Sequence, residues 1–513
     1  MLSPDVLVER TSAGIAAEIA RLVSEGTLPP AERLPTVRAV AAALGVSTGT
    51  VATAWRALAD AGVIVSRGRA GTFVRAERRE WLSPRVRGLA STDVSRAPAP
   101  PRGLGGRVAG SARLDLSLGT PDPSLLPSLE RALSRARPRA DTGRYHDLPV
   151  LPELSDVLRE QWPVSGVEAL TVVDGAFDGI SRTVDQVVRF GDRVAVESPG
   201  FPYIFDLVDA AGGISLALES DADGILPASL ARALAQRPST VILQPRAQNP
   251  TGTSMSVERA RRLANVLVTV PGGRRVTVIE DDHSALIATA PAVSLARWIP
   301  GQVVHVRGFS KSHGPDLRIA ALGGPADIVE RIVRRRMLGP GWTSRLLQTV
   351  LRELLTDPRS IAAVSTARLI YRDRLDRLAA ALRRLGVDVG APDGINLWLP
   401  VRDERAAIVH LAAEGIAVAA GEPFVIDAPP DAAMPGTRPS ERVHTGGALT
   451  PAESERDGAS SSQAWVRVTA GPVSENVRLV AEALARAASA PPLSEGRAST
   501  PKAVRIDSPR LGP

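Results

Sequence analysis

From Leu114 to Leu322 the chain alternates short apolar runs with amphipathic stretches, and few folds accept that pattern. The runs are Leu170–Val173, Arg193–Val196, Thr240–Leu243, Val276–Ile279, Val303–Val306 and Ile319–Leu322. Strands that alternate with helices form a mostly parallel sheet, because each helix carries the chain back to the same end. An α/β body with a mostly parallel sheet is therefore expected. A long helical stretch follows from about Ile361 to Leu385, and then a smaller mixed region from Val387 to about Ala488. Residues 426–463 and 491–513 are rich in Pro, Ser, Gly and Glu or Arg and nearly free of large apolar side chains, so they are expected to be disordered. At 513 residues the chain is long enough for roughly three folding units.

The charge is unevenly placed. The net charge of +7 divides into −3 for residues 1–32, +5 for 33–75 and +5 for 76–113, which leaves the remaining 400 residues neutral. A polyanion-binding head on a neutral body would have this distribution, and so would a merely Arg-biased surface. Within the head, Ile15, Ile19 and Leu22 share one helical face. Thr36 caps a second helix with Val37, Val40, Ala41 and Leu44 inward, and Gly45 stops it; Ser47 caps a third with Val51, Ala54, Trp55 and Leu58 inward. Two short helices joined by Gly45–Val46–Ser47 make a helix-turn-helix, whose second helix offers its first turn to the major groove. Val63–Val65 and Gly71–Val74 then form a hairpin with a basic tip. Candidate DNA contacts are Arg38, Ser47, Thr48 and Thr50, with Arg67 and Arg69 at the tip. Residues 33–74 resemble the winged helix-turn-helix of the GntR class of bacterial regulators, with Thr48–Gly49 after Ser47 where that class commonly has an Arg. The domains read as a DNA-binding head over 1–75, a flexible Pro/Gly/Arg-rich linker over 76–113, a body over 114–490 and a tail.

Of the 62 basic residues only Lys311 and Lys502 are lysine. An amine can lose its proton and form an imine with an aldehyde, a task closed to a guanidinium. Lys311 belongs to a series of motifs at predicted strand ends. "TVVDGAFDGI" sets Gly175, Ala176 and Phe177 at a helix start, where free N–H groups favour a phosphate. "ESPGFPY" offers Phe201, "QNPTG" offers Asn249, and "VIEDDH" ends in Glu280, Asp281, Asp282 and His283. "GFSKSHGPDLR" carries Ser310, Lys311 and Arg318. Each has a plain alternative: Phe201 as core, Asn249 as a turn, His283 and His313 as histidines without a role. No His cluster supports a metal site.

In this order and spacing the motifs resemble the fold-type I aminotransferases, which bind pyridoxal 5′-phosphate. By that resemblance Lys311 forms the Schiff base and Asp281 pairs with the pyridine nitrogen, while Asn249 and the residue at His283 approach the phenolic oxygen and Phe201 stacks on the ring. Gly175, Ala176, Phe177, Ser310 and Arg318 hold the phosphate, with Tyr145 reaching it from a partner subunit, and Arg467 clamps a substrate or effector α-carboxylate. His283 stands where a tyrosine is common, and Gly308 where a Thr or Ser is. Head, linker and body together resemble the MocR subfamily of bacterial regulators. That resemblance implies a homodimeric, pyridoxal-phosphate-dependent transcription regulator which binds a double-stranded operator and senses the cofactor, or an amine or amino acid that displaces Lys311. The alternatives are an active aminotransferase with an autoregulatory head and a cofactor-free dimerisation scaffold. Zero Cys excludes disulfides and thiolate chemistry. No apolar run of 18 residues occurs and Asp5 and Glu9 replace a basic leader, so a cytoplasmic bacterial protein without a membrane span is expected.

Overall fold

The computed structural model describes residues 10–24, 27–29, 32–60, 64–66, 71–74, 83, 85, 114–136, 145, 147–426 and 464–491. Arg67 and Arg69, the hairpin tip, nearly all of the 76–113 linker, the 427–463 segment and the tail from 492 lie outside them. The chain divides into two compact units between Ser83 and Pro84.

In the first unit, helices α1 (Ser12–Ser24), α2 (Val37–Leu44) and α3 (Thr48–Asp60) precede an antiparallel pair, β1 (Ile64–Ser66) and β2 (Thr72–Val74). Ile15, Ile19, Val40, Leu44, Val51, Leu58, Ile64 and Val74 close one core. The helix ends are set by named residues. The Thr36 hydroxyl accepts from the Ala39 N–H at 3.2 Å, and Gly45, at φ 64°, takes the left-handed turn that ends α2. The Ser47 hydroxyl accepts from the Thr50 N–H at 3.0 Å at the start of α3. Thus the two-helix geometry follows from three polar or flexible residues, with the apolar stripes deciding which faces meet.

The second unit is built on a seven-stranded sheet: β3 (Ala169–Val173), β4 (Arg193–Glu197), β5 (Ile214–Leu218), β6 (Thr240–Leu243), β7 (Thr277–Asp282), β8 (Val303–Gly308) and β9 (Ala320–Gly324). Their spatial order is β3-β9-β8-β7-β6-β4-β5, and β9 alone runs against its neighbours. Successive residues face opposite cores: Val194, Ile242 and Ile279 enter one, while Ala195, Val241 and Val278 enter the other. Helices cover both faces, which is why the middles of these strands are mostly apolar on both sides.

Strand β5 was absent from the sequence expectation. It lies at the edge of the sheet with Ile214 about half exposed, so its apolar density is diluted. Strand β7 runs past the expected Ile279 through Glu280, Asp281 and Asp282, because hydrogen bonds satisfy most of those carboxylate oxygens. The long helix begins at Pro358 and ends at Arg384; a proline in the first turn forfeits no intrahelical bond. A smaller antiparallel sheet of β10 (Asn396–Val401), β11 (Ala419–Ala420) and β12 (Ala464–Thr469) packs Leu397, Leu399, Val466 and Val468 against the long helix and Val477–Ala488.

Thr36→Ala removes the α2 cap and should cost about 1 kcal/mol of local stability. Hydrogen exchange at the α2 amides, where the whole chain is measured, should accelerate about fivefold.

Candidate functional site

Six of the large sheet's strands end at one edge, and most of the residues singled out from the sequence gather there. Asp281 is 3% exposed at the end of β7. Its Oδ2 accepts from the Gln244 Nε2 at 2.7 Å, while its Oδ1 is buried without a partner. Burial pushes this carboxyl up to about 6, against the pull of the Gln244 hydrogen bond. The same Gln244 accepts the Asn249 N–H through its Oε1 at 2.8 Å and gives its own N–H to Glu197 at 2.8 Å. Asn249 Oδ1 in turn accepts from Arg467 at 3.4 Å. Gln244 therefore ties the end of β4 through its backbone N–H and the end of β7 through its side chain, and Asn249 carries the link on to Arg467 of the small sheet.

Lys311 sits in the short helix Ser310–His313 that follows β8, and its Nζ donates to the Gly119 carbonyl. Burial pushes the amine down to about 8, the Arg467 guanidinium adds to this, and Asp281 opposes it. Arg467 donates to the Ser117 carbonyl, keeps a buried Nε without a partner and lies over the Phe424 ring at 5.1 Å. Gly119, at φ 64°, passes so close that a Cβ there would stand 3.1 Å from the Arg467 guanidinium. Gly119, Ser117 and Gln244 were missed from the sequence; backbone carbonyls carry no residue signature, and Gln244 belongs to no motif beyond its five-residue lead on Asn249.

Gly175, at φ 108°, precedes helix α4 (Ala176–Val187). The N–H groups of Ala176 and Phe177 belong to its first turn and lack intrahelical acceptors. A Cβ at Gly175 would meet the Arg318 guanidinium at 2.6 Å, and Arg318 donates to the Asp174 carbonyl at 3.3 Å. The helix start and the Arg318 guanidinium beside it make an anion cradle. Phe201 meets Phe177 edge-on at 6.3 Å and Tyr203 at 5.2 Å, so the aromatic wall has a third member that the sequence reading lacked.

His283 has a buried Nδ1 without a partner, and burial with the nearby Lys311 pushes it down to about 4, leaving a neutral ring. Gly308 crowds it: a Cβ at 308 would lie 3.3 Å from the His283 Cα and 3.4 Å from the Ala176 Cβ. His313 is a core residue, bonded to Ser312 Oγ at 2.8 Å and edge-on to Phe309. Glu280 and Asp282 point away from Asp281, to the opposite face, where they hold His305 between them at 2.8 and 3.5 Å; Arg246 also pairs with Asp282. They are structural partners, and no metal-holding cluster exists among the described residues.

Tyr145 stands apart from this group in its own chain, 80% exposed and 6.3 Å from Trp342. In the head, Arg38, Ser47 and Thr48 are exposed. The Ser47 hydroxyl is engaged as a cap and bonds Thr50 Oγ1 at 2.8 Å, so Thr48 presents the freest side chain of that turn.

An orphaned carboxylate oxygen, a desolvated amine and a glycine-lined anion cradle on one edge suit an electron-withdrawing aldehyde that carries a basic ring nitrogen and a phosphate. Residues 11–74 match the bacterial regulatory proteins of the gntR family, and residues 113–455 match aminotransferase class I and II. The chain is 35% identical over 425 residues to the vitamin B6 salvage pathway transcriptional repressor PtsJ of Salmonella typhimurium, covering 82% of this chain and 92% of that protein. It is 29% identical to the HTH-type transcriptional regulator TauR of Rhodobacter capsulatus, covering 79% and 88%. An archaeal alanine:glyoxylate aminotransferase has the fold of the body, with a TM-score of 0.63 at 17% identity over 80% of this chain and 99% of that one.

A lysine amine at about 8 is neutral in about one molecule in ten at pH 7, against about one in 2,500 for an ordinary lysine. Reductive trapping of benzaldehyde with cyanoborohydride should therefore label Lys311 at pH 7, and the labelling should rise and level off above pH 8. Peptide mapping checks it.

Proposed function

Since the chain belongs to the MocR-type regulators, in which a gntR-family head precedes an aminotransferase class I and II body, we propose that it is a pyridoxal-phosphate-dependent transcription regulator. Its body senses the cofactor, or an amine or amino acid that displaces Lys311, and its head binds an operator. The observation that carries this reading is the pairing of a buried, partnerless Asp281 oxygen with a desolvated Lys311 beside the Gly175–Arg318 cradle.

When bound, pyridoxal 5′-phosphate supplies an aldehyde carbon open to amines and a ring that withdraws electrons once its nitrogen is protonated. Asp281 would hold that proton at its Oδ1, with Gln244 keeping the carboxylate turned. Asn249 and the neutral His283 ring would approach the phenolic oxygen. Phe201 would cover the ring, and Ala176, Phe177, Ser310 and Arg318 would hold the phosphate. Arg467 would bind an α-carboxylate with two N–H groups. Its weak bond to Asn249 at 3.4 Å and its partnerless Nε leave it ready to do so.

A second copy of the chain belongs to the same reading. Tyr145 is exposed, Leu148 and Leu346 beside it are 66% and 53% exposed, and Arg345 links the two segments through the Leu148 carbonyl. A partner covering this face would receive Tyr145 at its own phosphate cradle. Two heads then read two half-sites, and an effector acts by binding unequally to two arrangements of the dimer.

Borohydride reduction of the protein with added cofactor should fix it on Lys311 by mass mapping, and Lys311→Ala should lose both the visible band and the response of DNA binding to the effector. Steady turnover of an amino acid with a keto acid would instead mark an aminotransferase. Arg38→Ala should weaken binding to every DNA sequence alike and lower the slope of log K against log salt by about 1, whereas Thr48→Ala should change operator preference and leave that slope unchanged.

A further inference from the structure

A cavity of about 420 Å³ is lined by residues from the ends of β4 and β6 and from the small sheet, with Gln244 in its wall and Asp281, to which Gln244 is bonded, outside its lining. That volume suits a small organic ligand. Three features define its chemistry. Glu197 lines it and is 7% exposed; its Oε2 accepts the Gln244 N–H at 2.8 Å, and no ion pair engages it among the described residues. Among the described residues the other acid in the wall, Asp221, is already neutralised by Arg259 at 2.9 Å, and no Arg or Lys lines the cavity. Trp398 and Trp465 also line it, with ring centroids 5.8 Å apart and planes within 6° of parallel.

The strand register explains the wall. Trp398 is paired with Arg467 across β10 and β12, and Trp465 lies two residues before Arg467, so all three project from the same face of the small sheet. Leu397, Leu399 and Val466 fill the core on the other face. The sheet thus offers a guanidinium to the Lys311 centre and aromatic faces to the second cavity. Indole faces attract cations, and a buried carboxylate lacking a counter-ion is costly. Burial accordingly pushes the Glu197 carboxyl up to about 8.

We propose that this cavity binds a small organic ammonium ion with an apolar body, at a site separate from Lys311, with Glu197 as counter-ion and Trp398 and Trp465 as walls. Gln244 is the partition between the two sites. Because it holds both Glu197 and Asp281, occupancy of the cavity bears on the position of the Asp281 carboxylate.

The site stands on the cavity and not on the cofactor reading, and the test keeps the two apart. The probe is 2-phenylethylamine, titrated by calorimetry into the full-length protein, once without cofactor and once after borohydride has fixed the cofactor and removed its reactivity toward amines. One molecule per chain should bind in both preparations. Glu197→Gln, which keeps an acceptor for the Gln244 N–H, should weaken binding at least tenfold, and the neutral isostere 2-phenylethanol should bind wild type at least tenfold more weakly than the amine. The neutral isostere tests the charge without any substitution. Failure of borohydride to fix the cofactor would count against the Lys311 reading alone. Absence of binding in the cofactor-free protein, or equal affinity of amine and alcohol, would overturn the second site.

Discussion

The position of one buried carboxylate governs the body of this protein. Asp281 ends a central strand where water is excluded, so its charge is expensive unless something nearby carries the opposite sign. Gln244 satisfies one oxygen and leaves the other open. The desolvated Lys311 amine and the buried Arg467 guanidinium complete a centre in which no group has its ordinary hydration. A site assembled in this way holds stored electrostatic demand, which a ligand with a basic ring nitrogen and an electrophilic carbon can meet. The parallel sheet is what makes the arrangement possible, since it delivers Asn249, Asp281 and Lys311 to one edge from segments about 30 residues apart.

The two departures from the family pattern are neighbours in the fold. Gly308 has the His283 Cα and the Ala176 Cβ close on its side, so a larger residue there would press against the turn that carries the histidine. A chain with a neutral His at 283 and no side chain at 308 has exchanged a hydroxyl near the phosphate for close packing of three backbone segments. In the proposed reading, phosphate holding would fall to the helix start, Ser310 and Arg318.

The head works by different physics. Its positive charge sits on Arg within 33–75, continued by the linker's Arg over 76–113, and such charge attracts a polyanion at long range without naming a sequence. The first turn of α3 is where sequence can be read, and its Ser47 is already committed to holding the helix end. In the proposed reading, a regulator built from these parts would link ligand and operator by reciprocal coupling, each changing the affinity for the other by the same factor.

How much of this was legible depends on the range of the interaction. Helix caps at Thr36 and Ser47, the stop at Gly45 and the buried stripes of α2 and α3 act within a few residues, so the sequence alone determined them. The strands β3, β4, β6, β7, β8 and β9 were legible because residues buried on both faces are mostly apolar, while β5 was lost at a half-exposed edge. Lys311 announced itself by the near absence of other lysines. What the sequence left open was decided by contacts between distant segments. The Gln244 amide reaches Asp281 37 residues away, and Arg467 meets the Ser117 carbonyl 350 residues away. Glu280, Asp281 and Asp282 look alike as letters; only the pleat of β7 sends the outer two to His305 and Arg246 and the middle one to the site. Local spacing sets which residues can cap, turn or alternate, but partners across a sheet edge are chosen by the packing of the whole body, and that choice exists only once the chain has folded.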